Sequence, residues 1–249
     1  MMTRIFQDIA VAFQFLTRLP LTRLPYEPDA LSRAAKFFPL VGLAVGVAAA
    51  GIYRLLSPHL PTAIVALLIV LFSTLATGGL FEDGIADSAD AFGGGWNRQQ
   101  ILDIMKDSRI GTFGALAIVF SIAGRVLLLA SLQPGHVTQY VISADVLCRW
   151  TALPLGTALP SAREQASQGG RIARQISRVS LVVGTLIAFG VVCYLFQMSM
   201  WKPIAVASVV TLLSGVYYKR SIGGITGDCF GATGQLTLIA VYLCGVWHK

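Results

Sequence analysis

Residues 78–95 read Gly78-Gly79-Leu80-Phe81-Glu82-Asp83-Gly84-Ile85-Ala86-Asp87-Ser88-Ala89-Asp90-Ala91-Phe92-Gly93-Gly94-Gly95, directly after an apolar run that starts at Thr62. The acidity continues to Asp103 and Asp107, so six of the chain's 12 acidic residues fall within residues 78–109. Asp83, Asp87 and Asp90 are spaced i, i+4, i+7, which on a helix puts them on one face. Like charges at that spacing repel unless a cation sits among them. Carboxylates in this number suit a hard, oxygen-seeking ion, Mg²⁺ first. The plainer alternative is a solvated acidic loop between two membrane helices.

The rest of the chain supplies the membrane. It has 249 residues, 55% hydrophobic and 12% charged, with a mean hydropathy of +0.70. A soluble domain carries roughly 25% charged residues. These values predict an all-α integral membrane protein, one polytopic domain over residues 1–249. The four cysteines (Cys148, Cys193, Cys229 and Cys244) show no paired spacing. They imply neither a disulfide framework nor a zinc site. The N-terminus lacks the pattern of a cleavable signal peptide, because Arg4, Asp8 and Arg18 interrupt its apolar positions.

Residues 4–19 read as an amphipathic helix lying in the interface, with Ile5, Ile9, Phe13 and Leu16 at helical spacing and Pro20 as its stop. Seven spans of about 20 apolar residues follow, over 37–56, 62–80, 110–132, 137–159, 179–199, 203–218 and 230–247. Lys and Arg alternate between the connections. Arg4, Arg18, Arg23, Arg33 and Lys36 precede the first span. Arg98, Lys106 and Arg109 follow the second, Arg163, Arg171, Arg174 and Arg178 the fourth, and Lys219 and Arg220 the sixth. The intervening connections hold Arg54, none, and Lys202. This asymmetry predicts a cytoplasmic N-terminus and an external C-terminus. Every polar, glycine-rich connection then faces the cytoplasm, and His59, His136 and His248 fall on the other side or at the terminus, away from the chemistry.

A second glycine-rich stretch, Gly223-Gly224-Ile225-Thr226-Gly227-Asp228, precedes the last span. Glycines let backbone N–H groups approach phosphate oxygens. Alone, this could be a turn with a capping residue. With the acidic stretch on the same side, it suggests a division of labour. The acids hold Mg²⁺, and the metal bridges a diphosphate. Gly84, Gly224, Thr226 and Gly227 cradle phosphate, while Lys106, Arg109, Arg149, Lys219 and Arg220 neutralise the remaining charge. Such a site displaces a nucleotide from a diphosphate chiefly by positioning and electrostatic stabilisation. One carboxylate accepts the proton of an attacking hydroxyl. Asp145 and Arg149 stand i, i+4 within a span, where charged residues pair or face a cavity. Arg125 has no sequence-near partner and is expected to face the bundle interior. The four arginines of 161–178 are expected to anchor topology or to hold an anionic substrate.

Three separated motifs carry a resemblance. They are residues 78–90, Met105-Lys106-Asp107-Ser108-Arg109-Ile110-Gly111, and Gly223-Gly224-Ile225-Thr226-Gly227-Asp228-Cys229-Phe230-Gly231-Ala232. With Phe15-Leu16-Thr17-Arg18-Leu19-Pro20 and Phe38-Pro39-Leu40-Val41-Gly42, they resemble the cobalamin synthase family, in matching order over most of the chain. The resemblance implies transfer of the cobinamide-phosphate group of adenosylcobinamide-GDP to α-ribazole or its phosphate. GMP is released, Mg²⁺ is required, and the setting is a bacterial inner membrane. It implies Asp83 and Asp228 as catalytic and Asp83, Asp87, Asp90 and Asp107 as metal ligands, with Arg109 beside them. Partners are the two small molecules and lipid, without nucleic acid, and a homo-oligomer stays open. Phe81 departs from the family pattern, which has histidine there. The rivals are a CDP-alcohol phosphotransferase, an aspartate-rich prenyltransferase and a cation transporter. The first needs arginine where Asp87 stands, the second needs a second aspartate-rich stretch, and the third needs acids at the bilayer midplane.

Overall fold

A computed structural model describes residues 2–19, 30–163, 176–196 and 201–247. Pro20, Arg23, Arg171, Arg174 and His248, named above, lie outside the described residues. Among the described residues the chain forms helices and no strands. A single parallel bridge joins Ser161 to Ile225.

In chain order the helices are α1 (Met2–Leu16), α2 (Ala30–Ala34), α3 (Phe38–Leu56), α4 (Thr62–Thr77), α5 (Leu80–Gly94), α6 (Arg98–Ile104), α7 (Thr112–Ser131), α8 (Val137–Trp150), α9 (Ala152–Ala158), α10 (Arg178–Phe196), α11 (Trp201–Ile222) and α12 (Gly227–Val246). A short 3₁₀ turn, Ala35–Phe37, joins α2 to α3.

Small residues set how closely these helices pack. A Cβ on Gly42 would stand 2.4 Å from the Asp145 carbonyl oxygen, and one on Gly46 would stand 2.8 Å from Ile142 Cα. At the far end of the same pair, Tyr53 Oη lies 3.3 Å from the Pro134 oxygen. These contacts run α3 antiparallel to α8. Likewise Gly84 of α5 meets Gly231 of α12, Phe81 meets Gly234, and Gly245 of α12 packs on Leu132 and Tyr140. Side chains at the waist of the bundle face outward instead. Phe120, Leu127, Leu186, Leu212 and Leu75 are all exposed, as a lipid-facing surface requires.

Four segments are long and apolar enough to cross a bilayer: Ala30–Leu56, Thr112–Ser131, Arg178–Phe196 and Gly227–Val246. The pair α4 and α5 is a fifth if taken as one broken span. The expected count of seven is not reached by this measure, for three physical reasons. The run 62–80 stops at Thr77, where Gly78 and Gly79 both adopt left-handed backbone (φ 67° and 75°), turning the chain by 88°. The run 137–159 is divided at Thr151, because Pro154 has no N–H to offer the Trp150 carbonyl. The run 203–218 lies inside α11, which is long enough, but Ser208, Thr211, Ser214 and its Lys219-Arg220 end dilute its apolar character.

α1 ends at Leu16, not at Pro20. Ile5 and Phe6 are exposed on it, whereas Asp8, Ala12 and Leu16 are buried. Asp8, which interrupts the apolar pattern in sequence, accepts from Lys36 Nζ at 3.0 Å and Arg33 Nε at 3.4 Å. That ion pair pins the amphipathic helix to the start of α3.

Candidate active site

The acidic stretch becomes α5 because Gly79 ends one helical path and starts another, and Asp83 N–H then bonds the Gly79 oxygen at 2.8 Å. Glu82 and Asp83 occupy its first turn, where the helix dipole favours negative charge. α12 starts in the same manner. Thr226 is its N-cap, its Oγ1 accepting from Cys229 N–H at 3.4 Å, which leaves Asp228 in the first turn.

The two helices cross at Gly84 and Gly231. A Cβ on Gly84 would be 2.8 Å from both the Asp228 oxygen and Gly231 Cα. The crossing brings Asp83 and Asp228 to one cavity of about 240 Å³. Arg149 and Arg163 share its wall, with Gly84 and Gly227. Phe15, Leu16, Phe38, Leu80, Phe81, Ala152 and Phe230 make the rest mostly apolar. Asp87, one turn beyond Asp83, lies near enough to feel the charges of Asp83, Asp228 and Asp90.

The Asp83 carboxylate makes no hydrogen bond or ion pair among the described residues, and the residue is exposed where it lines the cavity. Asp228 Oδ2 accepts from Arg163 Nη2 at 3.3 Å and lies 3.3 Å from Thr226 Oγ1. Arg149 is buried, its Nη1 donating to Asp145 Oδ1 at 2.6 Å, and its guanidinium carbon lies 5.2 Å from the Phe81 ring centre. Its Nε and that of Arg163 are buried without a partner among the described residues. Buried N–H groups without acceptors are rare, so both Nε groups are unmet donors packed behind the cavity lining.

The expected four-carboxylate metal site is not assembled. Asp90 accepts from Gly111 N–H at 2.7 Å and from Gly114 N–H at 2.8 Å, so both its oxygens cap the start of α7. Asp107 is bound by Arg109 through Nε and the backbone N–H, each at 3.0 Å. Hydrogen bonds from Arg109 hold the Asp107 carboxyl down to about 2. No group of three His, Cys, Asp or Glu side chains is placed to hold a metal among the described residues. Spacing alone missed this because capping and pairing partners lie outside the acidic helix.

The basic candidates divide the same way. Arg149 reaches the cavity. Lys106 lies 3.8 Å from Asp103 and is half exposed; Arg109 is 87% exposed; Lys219 is exposed at the end of α11. None of the three lines the cavity. Gly224 serves a backbone approach, since a Cβ there would be 2.4 Å from the Pro160 oxygen. It lets Ile225 pair with Pro160 and Ala162 at 2.9 Å each.

Three contributors were not legible as site residues. Arg163 belongs to a basic loop whose plainer reading was topology. Arg98, counted only for charge, ties that loop to the 222–225 turn by donating to the oxygens of Ile222 at 2.9 Å and Ala162 at 3.0 Å. Glu82, one of the six acids of residues 78–109, pairs with Arg125 at 2.7 Å and accepts from Thr74 at 2.8 Å. Arg125 therefore does face the interior. His59 and His136 sit at the C-terminal end of α3 and the N-terminal end of α8, opposite the cavity.

The family described as Cobalamin-5-phosphate synthase matches residues 8–246. A Polaromonas protein called adenosylcobinamide-GDP ribazoletransferase is 35% identical, covering 95% of each chain. A Vibrio cholerae protein of that name is 35% identical over 94% of this chain and 90% of its own. A Sinorhizobium protein of that name is 37% identical over 94% of both. No solved structure matches. A chain matched over nearly its whole length by the family and by such relatives belongs to the cobalamin-5-phosphate synthase family.

Proposed function

We propose that the chain transfers the cobinamide-phosphate group of adenosylcobinamide-GDP to α-ribazole or α-ribazole phosphate, releasing GMP. The observation that carries this reading is the cavity in which two carboxylates from separate motifs meet two arginines, in a chain whose relatives bear that name.

The acceptor hydroxyl attacks the cobinamide-side phosphorus. A new P–O bond forms there, the bridging P–O bond breaks, and GMP leaves with the bridging oxygen. The hydroxyl proton passes to one of Asp83 and Asp228. Arg149 and Arg163 offset charge on the phosphoryl oxygens. Mg²⁺ is commonly held by one or two carboxylates plus substrate phosphates. Asp83 and Asp87, one turn apart, fit that requirement where the four-acid cluster does not. Bound there, Mg²⁺ would neutralise diphosphate charge and polarise its oxygens.

We place the cavity end at the cytoplasmic face of the inner membrane, with lipid on the outer helix faces. Lys36, Arg98, Arg163, Arg178, Lys219 and Arg220 gather at the cavity end of their helices, which supports that orientation. The acids deepest in the bundle, Glu82 and Asp145, are each paired with arginine, which leaves a cation path without free carboxylates.

The test is GMP release from adenosylcobinamide-GDP by the purified protein in lipid. Release should require both α-ribazole and Mg²⁺. No release under any of these conditions would overturn the reading.

A further inference from the structure

The transfer proposed above has two organic substrates of very different size, and the cavity discriminates between them. Sites that enclose a drug-sized ligand measure roughly 300–1,000 Å³. At about 240 Å³ this cavity is smaller than that range. A volume of that size matches a flat two-ring heterocycle better than a corrinoid macrocycle.

Its wall has the matching chemistry. Phe15 and Leu16 of α1, Phe38 of α3, Phe81 of α5, Ala152 of α9 and Phe230 of α12 give it apolar and aromatic surface. The polar groups lie together with these: Asp83 and Asp228 on the crossing helices, and the guanidiniums of Arg149 and Arg163. An apolar pocket with a few convergent polar groups is the usual form of a small-ligand site. Phe81 stacks its ring toward the Arg149 guanidinium at 5.2 Å, presenting a flat cationic–aromatic corner.

We infer that this cavity seats the aromatic base of the acceptor nucleoside, with the ribose directed to Asp83 and Asp228 and the corrinoid kept outside. Leu16 and Ala152 then set which bases are accepted. The inference rests on the proposed transfer and adds to it the location of one substrate and the residues that select it.

The experiment uses the full chain in lipid nanodiscs and measures GMP release while each substrate is varied in turn. Ala152→Leu projects a larger side chain into the cavity. It should raise KM for α-ribazole at least tenfold and leave KM for adenosylcobinamide-GDP within twofold. The wild type should prefer α-ribazole to the riboside of unmethylated benzimidazole by about 10-fold or more, the scale of a methyl group in an apolar pocket. Leu16→Ala enlarges the cavity and should narrow that preference, which also serves if Ala152→Leu fails to fold. A wild type that turns over, with variants that move the donor KM alone or neither KM, overturns this inference and leaves the transfer standing. A wild type that releases no GMP overturns the transfer itself.

Discussion

Asp83 and Asp107 come from the same acidic stretch and end in opposite situations. Asp83 stands at a helix crossing, beside a cavity, with no partner among the described residues. Asp107 lies on an exposed connection and is closed on itself by Arg109. The two regions have similar sequence character, acids interleaved with bases or glycines. The difference is whether the fold brings a second element to them. α12 and the 160–163 segment converge on Asp83. Among the described residues the Asp107 carboxylate meets only its near neighbour Arg109. A carboxylate left without a partner beside apolar walls is available for chemistry; one already held by arginine in solvent is not.

This contrast can be broken by substitution. The largest effect is expected at the crossing. Asp83→Asn should lower kcat by about 10²–10⁴-fold, the range of a lost proton acceptor, while circular dichroism and insertion stay normal. Near wild-type turnover would remove Asp83 from the mechanism. Next comes the buried pair behind it. Arg125→Ala leaves Glu82 buried and uncompensated, which costs about 3–5 kcal/mol for a buried pair. Thermal unfolding in detergent should fall sharply, and Glu82→Gln added to Arg125→Ala should recover part of the loss. A single variant as stable as wild type would show that the pair does not hold α5.

A smaller effect is expected at the wall. Arg163→Ala should raise KM for adenosylcobinamide-GDP about 10–100-fold, the equivalent of one charge-assisted hydrogen bond, with α-ribazole binding changed less. The smallest effects belong to the connection. Lys106→Ala and Asp107→Asn should leave kcat/KM within about twofold, since solvent screens exposed pairs of this kind. The Asp107 carboxyl is held down to about 2. A depressed group contributes its stability above its unfolded value and loses it only as pH falls through the folded one. Asp107→Asn should therefore leave the pH–rate profile between pH 6 and 8 unchanged. A displaced profile would return this loop to the site.

Much of this was legible in the chain. Composition gave the membrane class, and the two glycine-bearing motifs pointed to Asp83 and Asp228, which the structure brings to one cavity. Local spacing could not say which acids were already engaged. Asp90 faces Gly111 and Gly114 across a helix junction, and Glu82 faces Arg125 from another helix. Those partners are distant in sequence and follow no periodicity. The span count was blurred for a different reason. Hydropathy windows pass over a Gly-Gly pair and a single proline, yet these are what bend α4 into α5 and divide α8 from α9.

The Gly84–Gly231 contact has an evolutionary consequence. A Cβ on Gly84 would stand 2.8 Å from Gly231 Cα and from the Asp228 oxygen, and one on Gly231 would press on Gly84 Cα at 3.0 Å, so a side chain at either point is felt by the opposite helix. A lineage that altered one would have to shift the opposite helix in the same step. Two stretches that the gene writes far apart thereby answer to one contact, and Asp83 and Asp228 both stand beside it.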